Sequence, residues 1–280
     1  WGTPFKLLAA NQPFFAQPSV TIDDRLRTWV IAGTGRALVA ADKSSTTQQN
    51  LYGLIDTNPL TGAGFAASAN AVTLANLKNV TNARVRVNGD VDLNGDGSVD
   101  TTFKALQASV VTAGGWKRNY QLPGGTTPSE RSAARSTLFG GLVLNAAFSP
   151  SILQCTSEGT SRLYVVAFET GTATPDANIG KQDAFCGGTC PSGTVKEATT
   201  YTDLGVGMAS APAIHFGPVV TGDAATLNGD VDVSGTVTAG AGMATAIIDT
   251  SVADRTATNV KDRGGLSDGE ISWREYRNTQ

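Results

Sequence analysis

Thr137-Leu-Phe-Gly-Gly-Leu-Val-Leu-Asn-Ala-Ala-Phe148, stopped by Ser149-Pro150, is the stretch on which the fold turns. It is a β-type run closed by a turn signal. The pattern recurs along the chain. Leu26-Arg-Thr-Trp-Val-Ile-Ala32 ends at Gly33-Thr-Gly35, Ser161-Arg-Leu-Tyr-Val-Val-Ala-Phe168 at Glu169-Thr-Gly171, and Ala209-Ser-Ala-Pro-Ala-Ile-His-Phe216 at Gly217-Pro218. Such spacing suggests blades or a sandwich, not alternating βαβ units. Helical periodicity is scarce, and Thr101 to Thr112 reads equally as a short helix or a strand.

Composition agrees with an all-β reading. Of 280 residues only 16% are charged, 32 are glycine, and the net charge is −3. That balance excludes a nucleic-acid partner, because there is no basic excess to neutralise phosphates. The single histidine, His215, excludes a multi-histidine zinc site. No apolar run approaches the length of a membrane-spanning helix. The chain opens on Trp1 without a signal-like segment. It is therefore read as a processed product or a fragment of an exported protein. The three cysteines, Cys155, Cys186 and Cys190, are disulfide candidates. One bridge is expected, within the Phe185-Cys-Gly-Gly-Thr-Cys-Pro191 loop or from Cys155 to it, leaving one thiol.

Two segments look like insertions into a single domain spanning 1–280. One is 57–112, whose first part, 57–89, is small and polar and reads as a surface loop. The other is 221–270, a loop or hairpin. The first carries the sharpest signal in the chain, Asp90-Val-Asp92-Leu-Asn94-Gly-Asp96-Gly97-Ser98-Val99-Asp100. Ca²⁺ takes six to eight oxygens, and alternating Asp and Asn around a glycine present them from one side of a loop. A register starting at Asp92 places Asn94 third, Asp96 fifth, Gly97 sixth, Ser98 seventh through its carbonyl, and Asp100 ninth. The twelfth position is Phe103 instead of a bidentate glutamate, so water or Asp90 completes the shell. The expected dissociation constant is roughly 10⁻⁵–10⁻³ M. An echo at Asn228-Gly-Asp-Val-Asp232 lacks the third carboxylate and reads as a plain polar hairpin.

Several segments in shared order resemble one family. These are Gly33-Thr-Gly-Arg36 with Asp42 and Tyr52-Gly-Leu-Ile-Asp56, then Gly115-Trp116 to Leu122 with Ser129-Glu-Arg131. Phe148-Ser-Pro-Ser151, Cys155 and Gly159-Thr-Ser-Arg-Leu-Tyr164 follow, and Ile271-Ser-Trp-Arg-Glu275 closes the series. Together they are similar to the C-terminal β-propeller of type IV pilus tip-associated, PilY-type proteins. Ser129 stands where that pattern has glycine.

The resemblance implies an all-β, β-propeller-like fold, the C-terminal part of a modified propeller with long loop insertions. It implies a non-enzymatic protein at the pilus tip on the cell surface, acting in adhesion and in pilus assembly and extension. It also implies minor pilins and a host or surface ligand as partners, and Ca²⁺ as a regulator. A blade takes about 40–50 residues. The chain without its insertions supplies four or five, so an upstream domain or another chain is expected to complete the ring. Two other classes compete. The Asp92–Val99 segment resembles a dockerin loop, which would make the chain a secreted calcium-stabilised binding module. A propeller enzyme needs a convergent catalytic group, and His215, Glu130 and Arg131 read instead as structural.

Overall fold

Gly140 and Gly141 divide the Thr137–Phe148 run into two strands, with φ of +50° and +78°. Two central residues at positive φ make the tight hairpin turn whose twist matches the flanking strands. The β-type run is thus a hairpin, and Gly-Gly between apolar residues is itself a hairpin signal. The computed structural model describes residues 6–56, 72–120, 128–132, 134–151, 159–185, 195–215, 243–251 and 255–261.

In chain order the strands begin β1 (Ser19–Ile22), β2 (Thr28–Gly33), β3 (Asn50–Asp56), β4 (Lys78–Asn79), β5 (Arg84–Val85) and β6 (Asp90–Asp92). Next come β7 (Thr101–Thr102), β8 (Gly115–Asn119), β9 (Arg131–Ser132), β10 (Thr137–Phe139), β11 (Leu142–Ser149) and β12 (Thr160–Ala167). The last are β13 (Lys181–Asp183), β14 (Lys196–Ala198), β15 (Tyr201–Val206), β16 (Ala213–His215), β17 (Met243–Asp249) and β18 (Arg255–Lys261). Two helices are described, α1 (Ala40–Lys43) and α2 (Phe103–Thr112). The undecided 101–112 segment is thus mostly helix. Thr102 Oγ1 accepts the Ala105 N–H to cap it, and Leu106 and Val110, one turn apart, are its buried side chains.

Three larger sheets are antiparallel meanders. The first runs β1-β2-β3-β8, with β4 added in parallel to β8. The second runs β10-β11-β12-β15, with β9 beside the far end of β11. The third is β16-β17-β18, and β5-β6-β7 and β13-β14 form two small sheets.

How the three pack follows from β11 and β12. All eight residues of β11 are buried, so it has no solvent face. Alternation sends Val143 and Ala147 into a core shared with Trp29, Ile31, Leu51 and Trp116 of the first sheet. Leu142, Leu144 and Ala146 enter a second core with Ala246, Ile248 and Val260 of the third. On β12, Tyr164 and Val166 face the first core while Leu163 and Val165 face the second. The second sheet is therefore sandwiched between its neighbours. Face-to-face stacking of successive meander sheets is the packing of propeller blades. Among the described residues the three sheets do not close into a ring.

The two supposed insertions contribute to these cores. Leu77, Val80, Ala83 and Val85 of the 57–89 segment are buried, and β4 lies within it, so its described part is not a plain surface loop. Within 221–270, β17 and β18 pair with each other, and β17 also pairs with β16.

Candidate metal loop and motif junction

β6 feeds the acidic loop and β7 receives it, so the two ends of Leu93–Asp100 are pinned by antiparallel pairing of Asp90 with Thr102 and Val91 with Thr101. Asp92 is 1% exposed. Its Oδ1 accepts the N–H groups of Asn94 (3.1 Å) and Gly95 (2.6 Å), and its Oδ2 accepts that of Gly97 (2.7 Å). Gly95 and Gly97 have φ of +76° and +93°, the left-handed region that favours glycine. Asp96 Oδ1 accepts the Ser98 N–H at 2.8 Å. Asp100 Oδ2 accepts the Leu93 N–H at 2.7 Å and the Asn94 side-chain amide at 3.2 Å. Asp90 is held apart by Asn88, whose Nδ2 donates to its carboxylate at 2.8 Å. Arg86 Nη2 donates to the Gly97 carbonyl at 2.7 Å.

The expected donors thus share one loop and are of the kind a hard cation takes. Their carboxylates point at backbone amides. Among the described residues no three Asp, Glu, His or Cys side chains gather as a metal cluster. The loop passes through β7 into α2. Its degenerate echo at Asn228–Asp232 lies outside the described residues, as do Cys155, Cys186, Cys190 and Trp273.

Several of the described motif residues meet between the first and second sheets, around Arg131 and around Trp116. Arg131, 3% exposed, donates through Nη1 to the carbonyls of Arg36 (2.8 Å) and Asp42 (2.6 Å) and through Nη2 to that of Ser129 (3.0 Å). A Cβ on Gly35 would lie 2.3 Å from Arg131 Cβ, and one on Gly33 would lie 2.5 Å from Ser132 Oγ. Asp42 accepts from Arg36 Nε at 2.9 Å and from the N–H groups of Leu38 and Val39. The Arg36 hydrogen bond holds its carboxyl below the usual carboxylate range. Glu130 accepts the Tyr164 hydroxyl at 2.7 Å, with Arg162 4.0 Å away. Trp116 lies between Gly53 and Gly171, where a Cβ on either glycine would come within 2.3 Å of the indole, and its Nε1 donates to the Phe168 carbonyl. Trp29 and Trp116 are fully buried. His215 ends β16, in the third sheet.

Sequence reasoning passed over Arg84, Arg118 and Glu197, which line a cavity of about 470 Å³ beside Asn94 and Gly95 of the acidic loop. The one trace in the sequence was Arg118 inside an otherwise β-type run.

The architecture defines a class, an all-β protein of stacked meander sheets. The chain is similar to the solved C-terminal domain of PilY1 from Pseudomonas aeruginosa, with 17% identity and a TM-score of 0.49. The match covers 93% of this chain and 48% of that one, so the chain spans about half the length of the solved domain. No protein-family model and no curated protein matches it. Among the described residues no helix is long and apolar enough to cross a membrane.

Proposed function

We propose that this chain is a non-enzymatic, calcium-binding part of an exported type IV pilus tip protein, acting at the cell surface in adhesion and in pilus assembly and extension. The observation that carries the reading is the junction. Motifs that resemble the PilY-type family, drawn from positions 33–42, 53, 115–116, 129–131 and 164, fit one another in space. A chance likeness of short motifs has no reason to assemble so. The use of Glu130 and Arg131 as structural partners supports a non-catalytic role for that pair.

Calcium would be held by Asp92, Asn94, Asp96 and Asp100 with the Ser98 carbonyl, and it would draw together carboxylates that otherwise repel. A cation that binds only the ordered loop stabilises that conformer by the free energy of binding. The partners are minor pilins and a surface ligand.

The test is to shear filaments from source cells with and without the major pilin, and to ask by mass spectrometry whether this chain travels with them. Enrichment only when pili are present is expected. Equal abundance without pili would favour a free calcium-stabilised binding module, the reading that a helix following the loop supports.

A further inference from the structure

Arg84-Val85-Arg86 alternates charged and apolar residues, so an extended chain there sends Val85 one way and both arginines the other. Val85 is buried in the first core. The backbone of the same run joins the two small sheets. On one side Arg84 pairs with Asp92, where the acidic loop begins, and Val85 with Val91. On the other side Arg86 bridges to Glu197 of β14, and the Val87 N–H donates to the Lys196 carbonyl at 2.9 Å. The strip β7-β6-β5-β14-β13 is therefore continuous, with the acidic loop between its first two strands and the β13–β14 hairpin at its far edge.

The side chains of the two arginines make the same connection. Arg86 Nη2 donates to the Gly97 carbonyl at 2.7 Å, and the Gly97 N–H is held by Asp92 Oδ2. Arg84 Nη1 donates to Glu197 at 3.3 Å, and its guanidinium carbon lies 4.9 Å from the centre of the Phe185 ring. Glu197 also accepts from Gln182 Nε2 of β13 at 2.6 Å and from the Phe185 N–H at 3.4 Å. Glu197 is buried, whereas all three residues of β13 are exposed. Among the described residues β13 pairs with β14 and with no other strand. An element with so little buried surface sits at the low end of local stability. What seats it is the strip that carries the acidic loop.

We propose that calcium in the acidic loop fixes the β13–β14 hairpin in its docked position, with Arg86 as the positioning residue that links the two. This rests on the metal reading of the loop given above. Holding the carboxylates of Asp92, Asp96 and Asp100 together fixes the Gly97 peptide, whose carbonyl anchors the Arg86 guanidinium. An anchored Arg86 keeps its own backbone in register with β14. Coupling of this kind is reciprocal, so a docked hairpin raises calcium affinity by the same factor. The outcome is a surface, the exposed face of β13 leading to Phe185, whose presentation follows calcium.

The experiment is amide hydrogen exchange of the full chain with and without Ca²⁺, alongside calorimetry of Ca²⁺ binding. Calcium is expected to slow exchange at the loop amides of Gly95 and Gly97. It is also expected to slow, at least about fivefold, the hairpin amides of Ala184 and Thr199, which bond to the Val195 and Gly180 carbonyls. Arg86→Met should leave the loop amides responsive at saturating calcium and cut the hairpin response below about twofold. Arg86→Lys keeps a donor for the Gly97 carbonyl and should restore the response. Calcium that slows the loop amides but leaves Ala184 and Thr199 unchanged overturns this proposal while the metal reading stands. A hairpin response in Arg86→Met equal to that of the unmodified chain overturns the role of Arg86. No calorimetric binding of Ca²⁺ removes the metal reading and this proposal together.

Discussion

Gly53, Gly171 and Gly89 separate two reasons for a glycine. Gly89 has φ +90° and open space around its missing Cβ, so Gly89→Ala should cost only the backbone strain, about 1 kcal/mol. Gly53→Ala and Gly171→Ala drive a methyl into the Trp116 indole and should each cost about 3 kcal/mol or more, since the ring is fixed by its bond to Phe168. Urea unfolding of the three variants checks the ordering. Asp23 offers a pH test. Burial raises its pKa, but hydrogen bonds from the Trp29 indole and from Arg27 and Arg25 outweigh this and leave it below the ordinary 3.8. A depressed carboxyl contributes stability above its unfolded pKa and loses it as pH falls through the folded value. Acid unfolding below about pH 4 should therefore be shallower in Asp23→Asn, and an identical acid limb would remove Asp23 from the account. The motif glycines were visible in the sequence, but what each one clears space for was not. Gly35 and Arg131 are far apart in the chain and meet only through the packing of two sheets.

The acidic loop and α2 show how legibility divides at the level of an element. Asp92, Asn94, Asp96, Gly97 and Asp100 could be read from spacing because the loop's hydrogen bonds are local. α2 could not, because Leu106 and Val110 give a buried pair too short to set a period against β-type neighbours. Asp96 and Asp92 also differ in what their loss would do. Asp96 accepts one N–H, so Asp96→Asn should weaken calcium at least about tenfold with the loop intact, as read by calorimetry. Asp92 holds three backbone amides, so Asp92→Ala should lose calcium and loop order together, as read by amide exchange over 93–98. Calcium affinity unchanged in both variants would sink the metal reading.

Across the molecule, the second sheet has a core on each face, and this sets how the chain unfolds. Leu144 lies between the second and third sheets and Val143 between the second and first. Leu144→Ala should cost about 2–5 kcal/mol and Val143→Ala about 1–3 kcal/mol. Both should shift one shared thermal transition monitored by circular dichroism. Two separate transitions would mean that the sheets are independent units. The β class and the turn-bounded runs were readable from local pattern. The stacking was not, because the eight residues of β11 are buried on both sides and lack the polar alternation that marks a solvent face. The Arg118 cavity was hidden for a related reason, since it joins residues near positions 81–118 to others near 182–201.

That two-sided strand also carries a consequence for how the protein is made. A chain emerging N-terminus first can complete the first meander and lay β11 and β12 upon it while their other face, with Leu142, Leu144, Leu163 and Val165, still has no cover. Among the described residues, cover arrives with Met243–Asp249 and Arg255–Lys261, well after β12 in chain order. During that interval the nascent molecule presents a flat, greasy sheet to its surroundings, the kind of surface that invites sticking to other chains. A cell producing this protein therefore gains most from an escort that shields the second sheet until the β17–β18 hairpin is delivered.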